Sequence, residues 1–157
     1  MLTEEEGKEI MEQLLDAVNY CHQRGLIHRD LKLSNILLVE PNSIKKLKII
    51  DFGISGIFNK GGGDKTSACT LAFSPPELIS GKDTESKPSL DIWSLGIILY
   101  YILTKRLPFG DNEGEFVLFE RIQKDKVKFP KNLLSREAKD LIRKMLDKDP
   151  KKRITLE

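Results

Sequence analysis

The sequence is short of cysteine, of any charge excess and of long apolar runs, and each shortage excludes a class. Two cysteines, Cys21 and Cys69, in 157 residues can neither build a disulfide scaffold nor supply the four ligands of a structural zinc site. They are read as free thiols of a reducing compartment. Lysine and arginine number 26 against 24 acidic residues, so the basic surplus of a nucleic-acid-binding chain is missing. The longest apolar run, IILYYIL at 97–103, falls far below the roughly 20 residues that cross a bilayer. The opening MLTEEEGKEI is acidic and polar, unlike a signal peptide. Repeats and interdomain linkers are absent too. A soluble, intracellular, single-domain chain is expected, cytoplasmic with the nucleus as the alternative, and with neither nucleic acid nor membrane as partner.

What is present suffices for a core: hydrophobic residues make up 39% and charged residues 32%. Residues 3–24 read as an amphipathic helix. Thr3 and Glu6 have capping-box spacing, Ile10, Leu14, Ala17, Val18 and Cys21 share a face, and Gly25 is the stop. Two short β-like runs, 36–39 and 47–50, flank a turn signal at 41–43 and predict a hairpin. Residues 54–74 are mostly polar, carry Gly61-Gly62-Gly63 and show no periodicity, which predicts a long mobile loop. Ser74-Pro75-Pro76-Glu77 reads as a helix start, with a cap followed by Pro. From Leu90 to Leu103 the chain is apolar nearly all round, the mark of a buried helix, and Gly96 in it allows a close neighbour. Further helices are predicted over 113–123 and from Ser135 to Leu146. Basic residues crowd into 121–153, but acids interrupt them; a solvated face is the plain reading, an acidic-partner site the alternative.

The chemistry-bearing residues cluster around the hairpin. His28-Arg29-Asp30-Leu31-Lys32-Leu33-Ser34-Asn35 precedes it, and Asp51-Phe52-Gly53 follows its second strand. A hairpin brings its two ends together, so two carboxylates, an amide and a lysine meet there. Such a set suits phosphoryl transfer: an acceptor for a hydroxyl proton, oxygen ligands for Mg²⁺ and a cation for phosphate. The same residues also serve as caps and turn formers, and at this level both readings stand.

Six ordered motifs decide between them. His28 to Asn35 resembles the protein-kinase catalytic loop, and Asp51 to Gly53 the metal-binding motif that opens the activation loop. Pro75-Pro76-Glu77 is similar to the motif that closes that loop, with Pro75 where Ala is usual. Asp91-Ile92-Trp93-Ser94-Leu95-Gly96 resembles the helix that anchors the kinase C-lobe. Pro108-Phe109 and Asp149-Pro150-Lys151-Lys152-Arg153-Ile154-Thr155 fit the last two signatures. In texture, Ala17-Val18-Asn19-Tyr20-Cys21-His22 and Ala138-Lys139-Asp140-Leu141-Ile142 resemble the calcium/calmodulin- and calcium-dependent serine/threonine kinases, which implies a calcium-sensing regulatory region outside the chain.

The resemblance implies roles residue by residue. Asp30 orients the substrate hydroxyl and accepts its proton, and Lys32 neutralises the moving γ-phosphate. Asn35 and Asp51 hold Mg²⁺, and Leu37 packs under the adenine of ATP. Phe52 stacks near His28. Asp91 fixes the catalytic-loop backbone, while Glu77 and Arg153 form a buried ion pair. Thr66, or its near rival Ser67, is a phosphorylation site that pairs with Arg29. Ile54, Thr70 and Phe73 are substrate-side residues. Ile54 biases the choice towards threonine, Thr70 bridges Asp30 and Lys32, and Phe73 keeps the ring of the usual tyrosine. Ser34 and Tyr101 stand where carboxylates for a basic substrate are common.

The Gly-rich loop, the strand lysine and the β-rich lobe of a kinase are not found; Gly61-Gly62-Gly63 lacks the required spacing. The expected fold is mainly α, the helical C-lobe of the protein-kinase fold with a short β-hairpin and no N-lobe. Residues 1–157 are thus expected to be an incomplete protein kinase domain, a fragment lacking the N-lobe and the final helix, and inactive in isolation. The implied function is ATP-dependent phosphorylation of protein serine or threonine by the full-length parent. The rival is a non-catalytic kinase-like binding module. The intact set Asp30, Lys32, Asn35 and Asp51 argues against the rival, because docking alone needs none of them.

Overall fold

A computed structural model describes residues 2–51, 71–81, 87–110 and 114–156. In chain order they form helix α1 (Glu4–His22), a 3-10 turn (Leu33–Asn35), strands β1 (Ile36–Leu38) and β2 (Leu47–Ile49), and helices α2 (Pro76–Ile79), α3 (Pro88–Thr104), α4 (Glu115–Lys124) and α5 (Arg136–Met145). This is the mainly helical architecture with one short hairpin that the sequence predicts. Among the described residues no helix is long and apolar enough to cross a membrane.

Local chemistry sets the element ends. At the start of α1 the capping box closes both ways: the Thr3 N–H donates to Glu6 Oε2 at 2.7 Å and the Glu6 N–H to Thr3 Oγ1 at 3.2 Å. After α1, Gly25 takes φ +73°, a conformation glycine adopts without penalty. Ser135 caps α5, its hydroxyl accepting from the Ala138 N–H at 3.0 Å. At α2 the observed cap is Pro75, with Pro76 as the first helical residue. Ser74 lies outside the helix. Pro75 and Pro76 carry no N–H, so the helix start has fewer donors for a serine cap to satisfy.

The core is built on α3, in which 14 of 17 residues are buried, and which packs between α1 and α5. Burying each Leu or Ile contributes about 1.5–3 kcal/mol relative to exposure, which is why so apolar a helix sits inside. Trp93 is fully buried and stacks on Phe109, with ring centroids 5.8 Å apart. Gly96 faces α5: a Cβ there would stand 2.9 Å from both Met145 Cβ and Leu146 Cδ2. The hairpin is antiparallel, with Ile36 opposite Ile49, Leu37 opposite Lys48 and Leu38 opposite Leu47. The predicted loop over 54–74 lies outside the described residues up to Thr70.

Candidate active site

The loop between α1 and β1 is held from below by a single carboxylate. Asp91, at the start of α3 and 1% exposed, accepts from the His28 N–H through Oδ2 and from the Arg29 N–H through Oδ1, both at 2.9 Å. His22, at the end of α1, donates its Nε2–H to Oδ2 at 2.8 Å. Three donors on one buried carboxylate fix the path of the loop, and Arg29 adopts φ +68° within it. Asp91 was legible from the sequence. His22 was missed, because nothing local ties a helix-end histidine to a residue 69 positions away.

His28 links this loop to the far end of the hairpin. Its Nδ1 accepts from the Asp30 N–H at 3.3 Å, so its Nε2 carries the proton and donates to the Ile50 carbonyl at 3.0 Å. The Ile50 N–H in turn donates to the Asn35 carbonyl at 2.9 Å. These bonds draw residues 28–35 and 50–51 into one cluster, as the hairpin argument requires.

Within the cluster, Asp30 Oδ2 stands 2.9 Å from Lys32 Nζ, and their side chains are 16% and 23% exposed. Asn35, 4% exposed, donates its Nδ2–H to the Asp30 carbonyl at 2.8 Å. That bond orients the amide and leaves Oδ1 as the atom available to a ligand. Asp51 is exposed, with φ +62°. An amide oxygen and a carboxylate form a hard, all-oxygen donor pair. It fits Mg²⁺, which takes one or two carboxylates and completes its octahedron with water and phosphate oxygens. Among the described residues no group of three or more His, Cys, Asp or Glu offers an alternative metal cage.

The other candidates are placed as follows. Leu37 lies in β1 and is 45% exposed, an apolar surface beside the cluster. Phe73 is 7% exposed and belongs to the core; its carbonyl accepts from the Ser94 hydroxyl at 2.9 Å. Its ring packs into the core beside helix α3, and its substrate-side role stays what the resemblance implies. Phe52, Ile54, Thr66, Ser67, Cys69 and Thr70 lie outside the described residues. Cys21 is a free thiol, and burial, then the Asp91 charge, push its proton loss up.

A second anchor ties α2 to the lobe. Arg153 donates to both carboxylate oxygens of Glu77, at 2.6 and 3.0 Å, and to the Ser89 and Asp147 carbonyls at 2.8 and 3.0 Å. The guanidinium is fully satisfied although buried, the condition under which a buried ion pair is tolerable.

Comparison with known proteins agrees with this geometry. The chain matches the family model for the protein kinase domain over residues 1–157. It is 41% identical over 158 residues to a probable serine/threonine-protein kinase, MARK-A, of Dictyostelium discoideum, covering 100% of this chain and 14% of that protein. It is 43% identical over 155 residues to the carbon catabolite-derepressing protein kinase of Candida glabrata, covering 99% and 24%. It is 42% identical over 155 residues to the SNF1-related protein kinase catalytic subunit alpha KIN12 of Arabidopsis thaliana, covering 99% and 30%. The chain therefore spans between 14% and 30% of the length of these relatives. The expected closeness to calcium-dependent kinases finds no support here, since these relatives are of MARK and SNF1 type. Short strings such as Ala138 to Ile142 are too common among amphipathic helices to separate the branches.

Proposed function

The chain belongs to the protein kinase domain family, and we propose that it is the C-terminal lobe of a serine/threonine protein kinase of SNF1 type. The observation that carries this reading is the Asp30–Lys32 pair at 2.9 Å above the buried Asn35 amide. Asp30 accepts the proton of the substrate hydroxyl as oxygen attacks phosphorus. Lys32, already beside it, holds positive charge where the γ-phosphoryl oxygens pass. Such preorganised charge, in place before the reaction, is the main catalytic resource for phosphoryl transfer. Asn35 Oδ1 and the Asp51 carboxylate would hold Mg²⁺. When bound, the ion neutralises phosphate charge and orients ATP. Leu37 supplies apolar surface for the adenine.

The same proposal covers the residues the geometry leaves open. Arg29 is the partner of a phosphate on Thr66, and Ile54 and Thr70 are substrate-side residues. The domain is read as incomplete over 1–157, with the ATP-covering lobe elsewhere in the full-length protein. A calcium-sensing region was implied only by the calcium-dependent likeness and is not part of this reading. A cytoplasmic location goes with this reading.

The test is phosphoryl transfer from ATP to serine and threonine peptides by the full-length protein with Mg²⁺. Asp30→Asn should lower kcat by about 10²–10⁴-fold with the KM for ATP little changed. Equal turnover by wild type and Asp30→Asn, or none by fully phosphorylated wild type, would overturn the reading in favour of a docking module.

A further inference from the structure

We propose that Gln13 is a positioning residue that sets the register of the hairpin and so the place of Asn35 and Asp51. The inference rests on the kinase reading only for what those two residues do. Gln13 lies on α1, and its side-chain amide closes on the hairpin from two sides. Nε2–H donates to the Ile44 carbonyl at 2.8 Å, and Oε1 accepts from the Leu47 N–H at 3.1 Å. Nε2 also reaches the Glu9 carbonyl at 3.2 Å, which holds the side chain against its own helix. One planar amide that both donates and accepts does what the backbone of a third strand would do at that edge.

The hairpin needs such a hold. Its strands are three residues each, and a lone two-stranded hairpin is marginal in water. Ile36, Leu47 and Ile49 pack against the core but are only partly buried, and Leu37 and Leu38 are 45% and 46% exposed. A slip of one residue would turn every side chain of β2 to the opposite face.

The strand is suspended between two clamps. Gln13 grips it at Leu47, its first residue. At its far end the Ile50 N–H donates to the Asn35 carbonyl at 2.9 Å, and the Ile50 carbonyl accepts from His28 at 3.0 Å. Asp51 follows directly. Both clamps must share one register, so loosening Gln13 loosens the end that carries the oxygen ligands. A neutral amide is required: Glu keeps the acceptor for Leu47 but loses the donor for Ile44, and Leu loses both.

Amide hydrogen exchange on the full-length protein tests this without reference to activity. Gln13→Leu should speed exchange at both the Leu47 and the Ile50 amides by about tenfold, with Gln13→Glu between it and wild type. In a kinase assay the same variants should raise the Mg²⁺ concentration for half-maximal rate severalfold and leave the KM for the protein substrate unchanged. Faster exchange at Leu47 with none at Ile50 would make Gln13 a local staple and overturn the proposal. If Gln13→Leu fails to fold, the same two amides in Gln13→Glu decide. A wild type without phosphoryl transfer would count against the kinase reading alone, since the exchange result stands either way.

Discussion

Arg29 and Asp51 are held in the left-handed region, at φ +68° and +62°, where a side chain costs about 1–2 kcal/mol. The bonds around them must offset that cost, and for Arg29 the offset is Asp91. Asp91→Ala would leave the His28 and Arg29 N–H groups without their acceptor and strand the His22 donor. An unsatisfied buried donor costs about 1–3 kcal/mol, so urea unfolding should show a loss of about 2–5 kcal/mol; a loss below about 1 kcal/mol would refute this account of the loop. Lys148 poses the opposite case. Its ammonium lies 3.8 Å from the Phe109 centroid, 5.1 Å from that of Trp93, and donates to the Ile122 carbonyl at 2.5 Å. Those contacts favour the charge, but burial outweighs them and, with Arg153 adding to it against the pull of Asp125, pushes its pKa down from 10.5 to about 8. The unfolded chain then binds the proton more tightly than the folded one between pH 8 and 10.5. Stability should therefore rise with pH across that window. Lys148→Met should flatten the rise in thermal melts taken from pH 7.5 upward, and an identical slope in both proteins would remove Lys148 as its source.

Elements meet through small details of shape, and α3 against α5 shows it most plainly. Gly96→Ala would bring a Cβ to 2.9 Å from Met145 Cβ and Leu146 Cδ2. One of those neighbours is a Cβ fixed to its helix backbone, so it cannot swing aside. Overpacking of this kind costs about 1–3 kcal/mol, while alanine regains about 1 kcal/mol of helix propensity over glycine. The two terms leave a net loss or near-neutrality, never a gain, and a higher melting temperature for Gly96→Ala would show that the helices are not in contact there. That the glycine allows a close neighbour was legible in the sequence, because an apolar helix has little other use for one. The capping box of α1 and the helix start at Ser135 were legible because their signals are local, with bonding partners three residues apart. The start of α2 was not, since Ser74 carries the signature of a cap while the prolines after it leave fewer donors to cap.

At the scale of the whole molecule, legibility followed motifs: the Glu77–Arg153 pair, 76 positions apart, was read from two signatures, while contacts outside any motif had to be local to be seen. Asp30, Lys32 and Asn35 stand within six residues, and a hairpin returns Asp51 to them, so pattern alone could assemble that cluster. The bonds of His22 to Asp91 and of Gln13 to Leu47 span 69 and 34 positions, and no local pattern announces them. The hairpin also fixes how the chain meets solvent. Leu37, Leu38 and Val39 are consecutive and 45%, 46% and 40% exposed; side chains alternate along a strand, so the short ribbon leaves apolar groups bare on both faces. These bare apolar side chains lie beside edge backbone able to pair with a second copy. Residues 1–157 expressed alone should therefore self-associate in proportion to concentration, read by light scattering on a sizing column across a dilution series. Leu38→Lys with Val39→Lys should shift the chain towards monomer, because lysine on an exposed edge repels a second copy. Phe116→Ser serves as the control, since Phe116 is 77% exposed on α4 and away from any strand edge. Equal monomer release by the control and the hairpin pair would assign the association to general apolar exposure, and a monomeric wild type at every concentration would remove the hairpin patch as an interaction surface.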